Sequence, residues 1–227
     1  MKIGVLALQG DFREHIQTLT MLGVEAVAVR LPQQLEGVHG LIIPGGESTT
    51  IGKLMVEFGL VAPLRRLITD GIPTWGTCAG MILLARSTDN ALAGQPLLAT
   101  MDIHVSRNAF GAQRESFATQ LNIPAIGTGP SGGAEPFRAV FIRAPVVVSV
   151  GPQVEILARL EDMSPQAEAG RSGDSGAEPL GPAPIVAVRQ DHLIGTAFHP
   201  EVSGDTRFHR YFLEIVSGRV QQATANI

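Results

Sequence analysis

Short apolar runs alternate with helix-like segments through the first hundred residues, and this alternation restricts the fold more than any other feature. Ile3–Leu8 is continuously apolar, as a strand buried on both faces requires. Asp11 with Glu14 three residues later resembles a capping box and predicts a helix start near Phe12. The predicted strands are Ile3–Leu8, Val24–Val29, Gly40–Ile43 and Ile72–Trp75, and the predicted helices are Phe12–Leu22, Thr50–Phe58, Ala62–Thr69 and Met81–Ala85. This order predicts an α/β fold: a three-layer, doubly wound, flavodoxin-like and mostly parallel sheet with flanking helices.

The second half of the chain is richer in predicted strands. These strands are Ala139–Ile142, Val146–Val150, Val154–Ala158, Ile185–Val188 and Leu193–Phe198, and Ser203–Val216 is predicted to form a closing helix. Thr128–Ala134 is predicted to be a small flexible loop, and Ser164–Pro184 a flexible insertion that is either solvated or in contact with a partner. We expect one domain over residues 1–227, with a loose tail at 220–227.

Composition excludes several classes of protein. Of 227 residues, 44% are hydrophobic and 17% are charged, which is typical of a globular chain. The net charge of −4 and the lack of a long basic run argue against nucleic acid as the main partner. A single cysteine excludes an internal disulfide framework and a cysteine-based zinc cluster, and we expect no metal and no cofactor. No apolar run reaches the roughly 18 residues of a membrane span, and the N-terminal run is too short for a signal peptide, so the expected location is the cytoplasm.

The single cysteine lies in a frame that favours chemistry. Gly76-Thr77-Cys78-Ala79-Gly80 follows a short apolar stretch and precedes a helix-like run. Small residues on both sides of a nucleophile allow a sharp turn from strand to helix, which pushes the side chain outward. The amides of the following helical turn can lower the pKa of a thiol and bind an oxyanion. The alternative is that Cys78 is a small buried hydrophobic residue.

A thiolate needs a base and a group that orients the base. Six histidines are available, but only His199 follows directly from an apolar run and precedes Pro200-Glu201. Glu201 can accept from one imidazole nitrogen and leave the other free to face Cys78, which is the arrangement of a catalytic triad. The other histidines lack such a frame and are expected to be structural: His15, His39, His104, His192 and His209.

A glycine-rich segment, Pro44-Gly45-Gly46-Glu47-Ser48-Thr49, follows the third predicted strand. Glycines at a strand end let backbone N–H groups approach a ligand closely, so this loop can hold an oxyanion or a polar substrate group. It is not a nucleotide-binding P-loop. Five residues rather than four separate Gly46 from Gly52, and Lys53 is followed by Leu54.

Together, the glycine loop, the cysteine elbow and the later His-x-Glu resemble the class I glutamine amidotransferase family. Within it, the chain is similar to the glutaminase subunits of pyridoxal 5'-phosphate synthase over nearly its whole length, from Lys2 to about Val216. The segments that carry this resemblance are Leu8-Gln9-Gly10-Asp11, Pro44-Gly45-Gly46-Glu47-Ser48-Thr49-Thr50, Gly76-Thr77-Cys78-Ala79-Gly80, Ser106-Arg107-Asn108-Ala109-Phe110-Gly111 and Phe141-Ile142-Arg143-Ala144-Pro145.

The resemblance implies a role for each matched residue. Cys78 would attack the side-chain amide of L-glutamine, His199 would take the thiol proton and deliver it to the leaving ammonia, and Glu201 would orient His199. The backbone N–H groups of Gly46 and Ala79 would be the oxyanion donors. The implied glutamine contacts are Gly45, Gly46, Glu47, Arg107, Ile142 and Arg143. Arg107 and Arg143 also follow from chemistry, because a guanidinium group suits the α-carboxylate of glutamine.

The resemblance also implies a partner. Ammonia would pass to a separate pyridoxal 5'-phosphate synthase subunit, which makes the product from ribose 5-phosphate and glyceraldehyde 3-phosphate. The glutaminase would be active mainly when docked, with Leu8-Gln9-Gly10 and Pro44–Thr50 as the switching loops. One local departure is Ala112, where the family usually has arginine after Gly111.

Three alternatives stay open at this point. The chain could be a glutaminase for another synthase, or a DJ-1-like thiol protein on the same fold. It could also be a non-catalytic binding subunit, although intact Cys78, His199 and Glu201 argue against this. A DJ-1-like protein has no use for Arg107 or for His199-Pro200-Glu201.

Overall fold

The apolar run at the N-terminus forms an inner strand of a large sheet. The computed structural model describes residues 1–89, 94–107, 116–127, 135–160 and 183–225. Strand β1 (Lys2–Leu6) lies between β2 (Glu25–Val29) and β3 (Gly40–Ile43), and both pairings are parallel. β3 is fully buried and β1 is buried after Lys2, as expected for strands that are covered on both faces.

The remaining elements alternate first between strand and helix and then run mainly as strands. The strands are β4 (Thr74–Thr77), β5 (Ala85–Asp89), β6 (Met101–Ser106), β7 (Ser116–Leu121), β8 (Phe137–Ile142), β9 (Val146–Val150), β10 (Glu155–Arg159), β11 (Ile185–Gln190) and β12 (Leu193–Thr196). The helices are α1 (Phe12–Met21), α2 (Ser48–Glu57), α3 (Val61–Thr69), α4 (Ala79–Leu84) and α5 (Arg207–Ala225). Short 3-10 turns occupy Pro32–Leu35, Pro124–Ile126 and Pro200–Val202. No helix within the described ranges is long and apolar enough to cross a lipid bilayer.

The strand order explains where the site forms. The large sheet runs β2-β1-β3-β4-β12-β11-β9-β6-β5, with β10 also paired to β11, while β7 and β8 form a separate hairpin. In this order the first five strands, β2, β1, β3, β4 and β12, are all parallel. The order β2-β1-β3-β4 is also that of flavodoxin-like folds. The predicted α/β fold is confirmed. Within the described ranges its sheet is mixed, because β11 pairs antiparallel with β12, β9 and β10, and β6 pairs antiparallel with β9.

Two neighbouring residues of β4 show that helices cover both faces of the sheet. The Trp75 ring contacts Phe208 and Phe212 of helix α5. Gly76 faces the other way, where a Cβ would lie 2.7 Å from the amide nitrogen of Met81 in α4. Because successive strand residues point to opposite faces, α5 and α4 lie on opposite sides of β4, which gives three layers.

Strands β5, β6 and β7 have no counterpart among the predicted elements. β5 reads Ala-Arg-Ser-Thr-Asp and is mostly exposed, and it lies at the edge of the sheet. β7 alternates between exposed and half-buried residues and is held by its hairpin with β8. β5 and β7 are stabilised by pairing with a neighbour rather than by an apolar pattern, so their sequences carry a weak signal, whereas β6 does alternate between buried and half-buried residues.

The C-terminal helix differs from the prediction at both ends. It begins at Arg207 rather than Ser203, because Pro200–Val202 forms a 3-10 turn and the Asp205 carboxylate accepts from the backbone N–H of Arg207 at 2.9 Å. It continues to Ala225 and so includes residues 220–225 of the predicted tail. Val220 packs against the core and supports this extension. The Thr128–Ala134 loop, residues 164–182 of the predicted insertion, and Ala112 lie outside the described residues.

Helix α4 packs so closely on β3 that one position excludes any side chain. A Cβ on Gly80 would lie 1.9 Å from the carbonyl oxygen of Ile43. We expect Gly80→Ala to lower the free energy of unfolding by about 2 kcal/mol or more, because the backbone must shift. Gly218→Ala in α5 is the matched control, since a Cβ there meets nothing within 4 Å. It should raise the stability by up to about 1 kcal/mol. Denaturant unfolding of both variants measures the difference, and equal midpoints would contradict this packing.

Candidate active site

Cys78 lies between strand β4 and helix α4 in a strained backbone conformation. Its φ of 46° and ψ of −102° are rare for a residue with a Cβ, and such strain is concentrated at functional sites. The Cys78 N–H donates to the carbonyl oxygen of Thr196 at 2.7 Å, which ties the turn to β12. A Cβ on Gly76 would lie 2.5 Å from the carbonyl carbon of Gly80, so the turn needs glycine on both sides. The chain therefore makes the sharp strand-to-helix elbow that the sequence predicts.

The thiol of Cys78 is almost covered but lies at the surface of the elbow rather than in the core packing. Cys78 is 6% exposed, and its sulfur lies 3.9 Å from the carbonyl oxygen of Ile142. The amide of Ala79 is at the first position of α4, where a helix leaves N–H groups without partners inside the helix. A cysteine that only filled space would not need a strained turn, so the geometry favours the nucleophile interpretation.

His199 and Glu201 are joined as the sequence predicts. The carbonyl oxygen of Val140 accepts from the backbone N–H of His199 at 2.8 Å and holds the chain beside β8. Glu201 lies in the 3-10 turn that follows, and its Oε1 lies 2.8 Å from Nδ1 of His199. Nδ1 therefore carries the proton and donates it to the carboxylate. The other nitrogen, Nε2, is buried and has no hydrogen-bond partner among the residues that the structure describes, which leaves it free for the Cys78 thiol.

Asp11 is a member of this cluster that the sequence did not reveal. Its carboxylate Oδ2 lies 3.2 Å from Nδ1 of His199, so two carboxylates share one imidazole nitrogen. Asp11 occupies the N-cap position of α1, yet its side chain makes no capping hydrogen bond. An aspartate that gives up a cap to face a histidine acts on that histidine. In the sequence, Asp11 belongs to a capping-box pattern and to the Leu8-Gln9-Gly10-Asp11 segment of the family resemblance, and neither of these predicted a contact with His199.

The two carboxylates control the charge of His199. Burial lowers the pKa of His199, but its interactions with Asp11, Cys78 and Glu201 outweigh this and raise the pKa to about 12. Burial raises the pKa of Glu201, and the contact with His199 opposes that rise. The imidazole is therefore protonated over the physiological pH range, and the Cys78 thiol lies close enough to contribute to its raised pKa. This is the charge state in which a histidine stabilises a thiolate and later delivers a proton.

Glycine at position 45 makes room for the catalytic imidazole. A Cβ on Gly45 would lie 2.4 Å from Cε1 of His199. Gly10 lies against the same loop, since a Cβ there would meet the carbonyl oxygen of Gly45. The side-chain oxygen of Gln9 accepts from the backbone N–H of Glu47 at 2.7 Å. The loops after β1 and β3 are therefore interlocked beside His199, at the point where the strand order reverses and α/β sheets bind ligands.

Glu47 is engaged within the protein more than the sequence suggests. Its carboxylate caps α2 by accepting from the N–H groups of Thr49 (3.0 Å) and Thr50 (2.6 Å). Burial raises its pKa, but the hydrogen bonds from Thr50 and Thr49 outweigh this and lower it to about 2. Arg107 Nη2 lies 3.4 Å from Oε1 of Glu47, and Arg107 Nη1 donates to Gln95 Oε1 at 2.9 Å. Gln95 therefore helps to hold this arginine, a role that no sequence motif indicated.

The end of strand β8 brings a third segment to the thiol. The carbonyl oxygen of Ile142 is the atom beside Cys78 Sγ, while the Ile142 side chain is 40% exposed. Arg143 follows with a φ of 46°, a second strained non-glycine residue at the site. Its side chain is exposed and forms no ion pair with the described part of the chain, so an external carboxylate can reach it.

Asp11, His199 and Glu201 also form a group that is compact enough for a metal ion, with ligand atoms within 4.8 Å of one another. Both carboxylates, however, meet the same nitrogen at hydrogen-bonding distance. A cation at that nitrogen would displace the proton that Nδ1 donates and reverse the tautomer that a base for Cys78 needs. We therefore assign the group to proton positioning.

A comparison with known families decides the classification. The model of the SNO glutamine amidotransferase family matches residues 5–218. This chain belongs to the SNO glutamine amidotransferase family. The match covers every predicted site residue, and membership in this family argues against the DJ-1-like alternative.

Relatives of this glutamine amidotransferase support the assignment over nearly the full length. It is 52% identical over 219 residues to the pyridoxal 5'-phosphate synthase subunit PdxT of Leifsonia xyli subsp. xyli, covering 96% of this chain and 98% of the relative. It is 50% identical over 216 residues to the PdxT of Carboxydothermus hydrogenoformans, covering 95% and 98%. A solved structure described as a glutamine amidotransferase has a TM-score of 0.77 at 44% identity, covering 95% and 98%.

The contact between Asp11 and His199 makes a prediction about charge. Replacing Asp11 with asparagine removes a negative neighbour of the imidazolium, so we expect the pKa of His199 to fall below about 12. The alkaline limb of kcat/KM, which reports the proton that His199 delivers, should then move to lower pH. Histidine NMR titration and pH–rate profiles measure the two effects. Glu14→Gln is the matched control, because it removes the same charge from α1 without touching His199. Identical titration of His199 in both variants would show that Asp11 does not act on it.

Proposed function

We propose that this chain hydrolyses L-glutamine to L-glutamate and ammonia, and supplies the ammonia to a separate subunit of pyridoxal 5'-phosphate synthase. That subunit uses ribose 5-phosphate and glyceraldehyde 3-phosphate. The observation that carries the proposal is the strained Cys78 elbow beside a hydrogen-bonded His199–Glu201 pair. The PdxT relatives at about 50% identity support the choice of this synthase over another one.

The chemistry follows from the free Nε2 of His199. The Cys78 sulfur attacks the side-chain amide carbon of glutamine and forms a tetrahedral intermediate. The protonated His199 donates its proton to the leaving nitrogen, so ammonia departs and a γ-glutamyl thioester remains. A water molecule, deprotonated by the now neutral His199, attacks the thioester and releases glutamate. Glu201 holds the imidazole orientation throughout, because it keeps the Nδ1 proton in place.

The oxyanion of the intermediate is proposed to be held by the backbone N–H groups of Gly46 and Ala79. Ala79 begins α4, so its N–H lies at the positive end of a short helix. Gly46 has a φ of +151°, and its loop is held by Gln9 through the N–H of Glu47. Donors that are fixed before the reaction stabilise developing charge without reorganisation.

Glutamine recognition is proposed to use both arginines. Arg107 is held in place by Gln95 and Glu47, and Arg143 is exposed next to the segment that touches the thiol. Either guanidinium can bind the α-carboxylate, and the carboxylate of Glu47 has remaining lone pairs for the α-ammonium group. Gly45 and Ile142 contribute close-packed walls on the two sides of the reacting centre.

We also propose that residues 1–227 form one amidotransferase domain that acts in the cytoplasm as part of a hetero-oligomer. In support, the strand before His199, β12, inserts between β4 and β11, so both halves of the chain build one sheet. The ammonia would pass directly to the partner subunit, and the interlocked Gln9–Gly10 and Gly45–Gly46 loops are the segments that docking can adjust.

The direct test measures glutamate release with and without the purified synthase subunit. We expect hydrolysis that rises when the subunit is added, and single labelling of Cys78 by a glutamine-analogue electrophile. Cys78→Ala should lose activity by at least about 1,000-fold because the nucleophile is absent. The matched control is Met21→Ala, an exposed position on α1 away from the elbow. Absence of glutamate release with the subunit present, or full activity of Cys78→Ala, would overturn the proposal.

The arginine assignment predicts a split between KM and kcat. Arg107→Ala should raise KM for glutamine about 10- to 100-fold and change kcat less, because the lost contact is made to the bound ground state as well as the transition state. Arg66→Ala is the control, since Arg66 is exposed in α3 and its one ion pair within the described ranges is with Asp70. Steady-state kinetics of the assembled complex decide the question. An unchanged KM would remove Arg107 from the glutamine site.

A further inference from the structure

Two fully buried histidines lie behind the proposed triad and have no role in the mechanism above. His15 comes from α1 and His209 from α5, and both side chains are inaccessible to solvent. The Trp75 ring packs edge-on against each imidazole, with centroids 5.4 Å and 5.0 Å away. A polar pair at this depth is expensive unless its hydrogen bonds are made, so its partners identify its role.

The contacts of His15 connect it to the proposed triad. Its Nδ1 lies 3.0 Å from Nε2 of His209. Its Nε2 lies 3.4 Å from Thr77 Oγ1, in the residue before the nucleophile, and 3.4 Å from Oε2 of Glu201. Oε2 is buried and accepts no hydrogen bond among the described residues, and His15 Nε2 is the ring nitrogen that lies near it. His15 is therefore the group placed to satisfy the half of the Glu201 carboxylate that does not face His199.

Both histidines are neutral at physiological pH. Burial, followed by the nearby His209 and His199, lowers the pKa of His15 well below its usual range. Burial lowers the pKa of His209 to about 4. A neutral imidazole has one N–H donor and one acceptor nitrogen, so each ring can exist as either of two tautomers.

The hydrogen bonds select one pair of tautomers. If Nε2 carries the proton in both rings, His209 donates to His15, the His15 proton lies on the side of Thr77 Oγ1 and Glu201 Oε2, and the unpartnered Nδ1 of His209 is an acceptor. If Nδ1 carries the proton in both rings, His209 is left with a buried unpaired N–H, and Glu201 Oε2 is left without a donor. A buried donor without an acceptor and a buried carboxylate oxygen without a donor are both destabilising, so the first arrangement is favoured.

We propose that His15 is a positioning residue of the triad, which donates its Nε2 proton to Glu201 Oε2 and thereby keeps Oε1 on His199. The kinetic consequences of this role rest on the proposed glutaminase function. The hydrogen-bond arrangement is independent of that function. A neutral donor suits this position better than a cation, because it fixes the carboxylate without cancelling the charge that stabilises protonated His199. His209 orients His15 from the opposite side.

The tautomer is testable in the unmodified protein. Long-range proton–nitrogen NMR of the imidazole rings distinguishes a protonated Nε2 from a protonated Nδ1. We expect the Nε2 form for both His15 and His209 at neutral pH. A proton on Nδ1 of His15 would overturn the proposal, whether or not the chain hydrolyses glutamine, so this result is independent of the proposed function.

Two variants of His15 separate positioning from mere packing. In His15→Phe, Glu201 loses its donor, so the charged carboxylate is less stable and its pKa rises. We expect kcat of the assembled complex to fall about tenfold or more with KM nearly unchanged, and the acid limb of kcat/KM to move to higher pH. In His15→Gln the side-chain amide can donate to Oε2, so most of kcat and the original pH profile should return.

His39→Phe is the matched control, because the His39 side chain accepts only from the backbone N–H of Lys2 among the hydrogen bonds of the described residues. Thermal unfolding and circular dichroism confirm that each variant is folded. If His15→Phe is folded and retains the wild-type kcat and pH profile, His15 has no positioning role. Equal losses in His15→Phe and His15→Gln without a shift of the acid limb would reduce His15 to a packing residue. The rate of Cys78 alkylation against pH in the isolated chain gives the same comparison without glutamine.

Discussion

The parallel pairing of β4 with β12 is the constraint on which the site depends. It places the residue after β4 and the turn after β12 at the same edge of the sheet, although they are far apart in the sequence. The hydrogen bond from the Cys78 N–H to the Thr196 oxygen is part of this pairing, and it holds the strained elbow. The proposed nucleophile and its base thus share one rigid support. The geometry between Cys78 and His199 then needs no flexible loop to create it.

Close backbone contacts assemble the rest of the site around this pairing. Gly76 and Gly80 let the elbow close, Gly45 makes room for the His199 ring, and Gly10 lets the first loop lie against the second. At each of these positions a Cβ would collide with a neighbour, so the glycines are required by approach distance. Interlocked loops of this kind have few alternative arrangements.

Charge is organised in layers behind the thiol. His199 is held protonated by Asp11 and Glu201, and Glu201 in turn lies beside a neutral, buried His15. The negative charge therefore stays next to the imidazolium instead of being neutralised from behind. Burial strengthens each of these interactions and also raises the cost of losing any one partner. The layers explain why a cluster with two carboxylates and three histidines can be stable in the interior of the protein.

The sequence alone determined the α/β class, the cysteine elbow, the His199–Glu201 pair and the glycine loop, because each of these depends on neighbouring residues or on a local period. It did not reveal Asp11, Gln95 or His15, whose roles come from contacts between elements that are distant in the chain. The edge strands and the last turns of the C-terminal helix also escaped prediction, since pairing and core packing stabilise them more than their own pattern does. Short motifs specify the local chemistry of the site. The charge of its histidines, their tautomers and the close backbone contacts depend on which elements the folded sheet brings together.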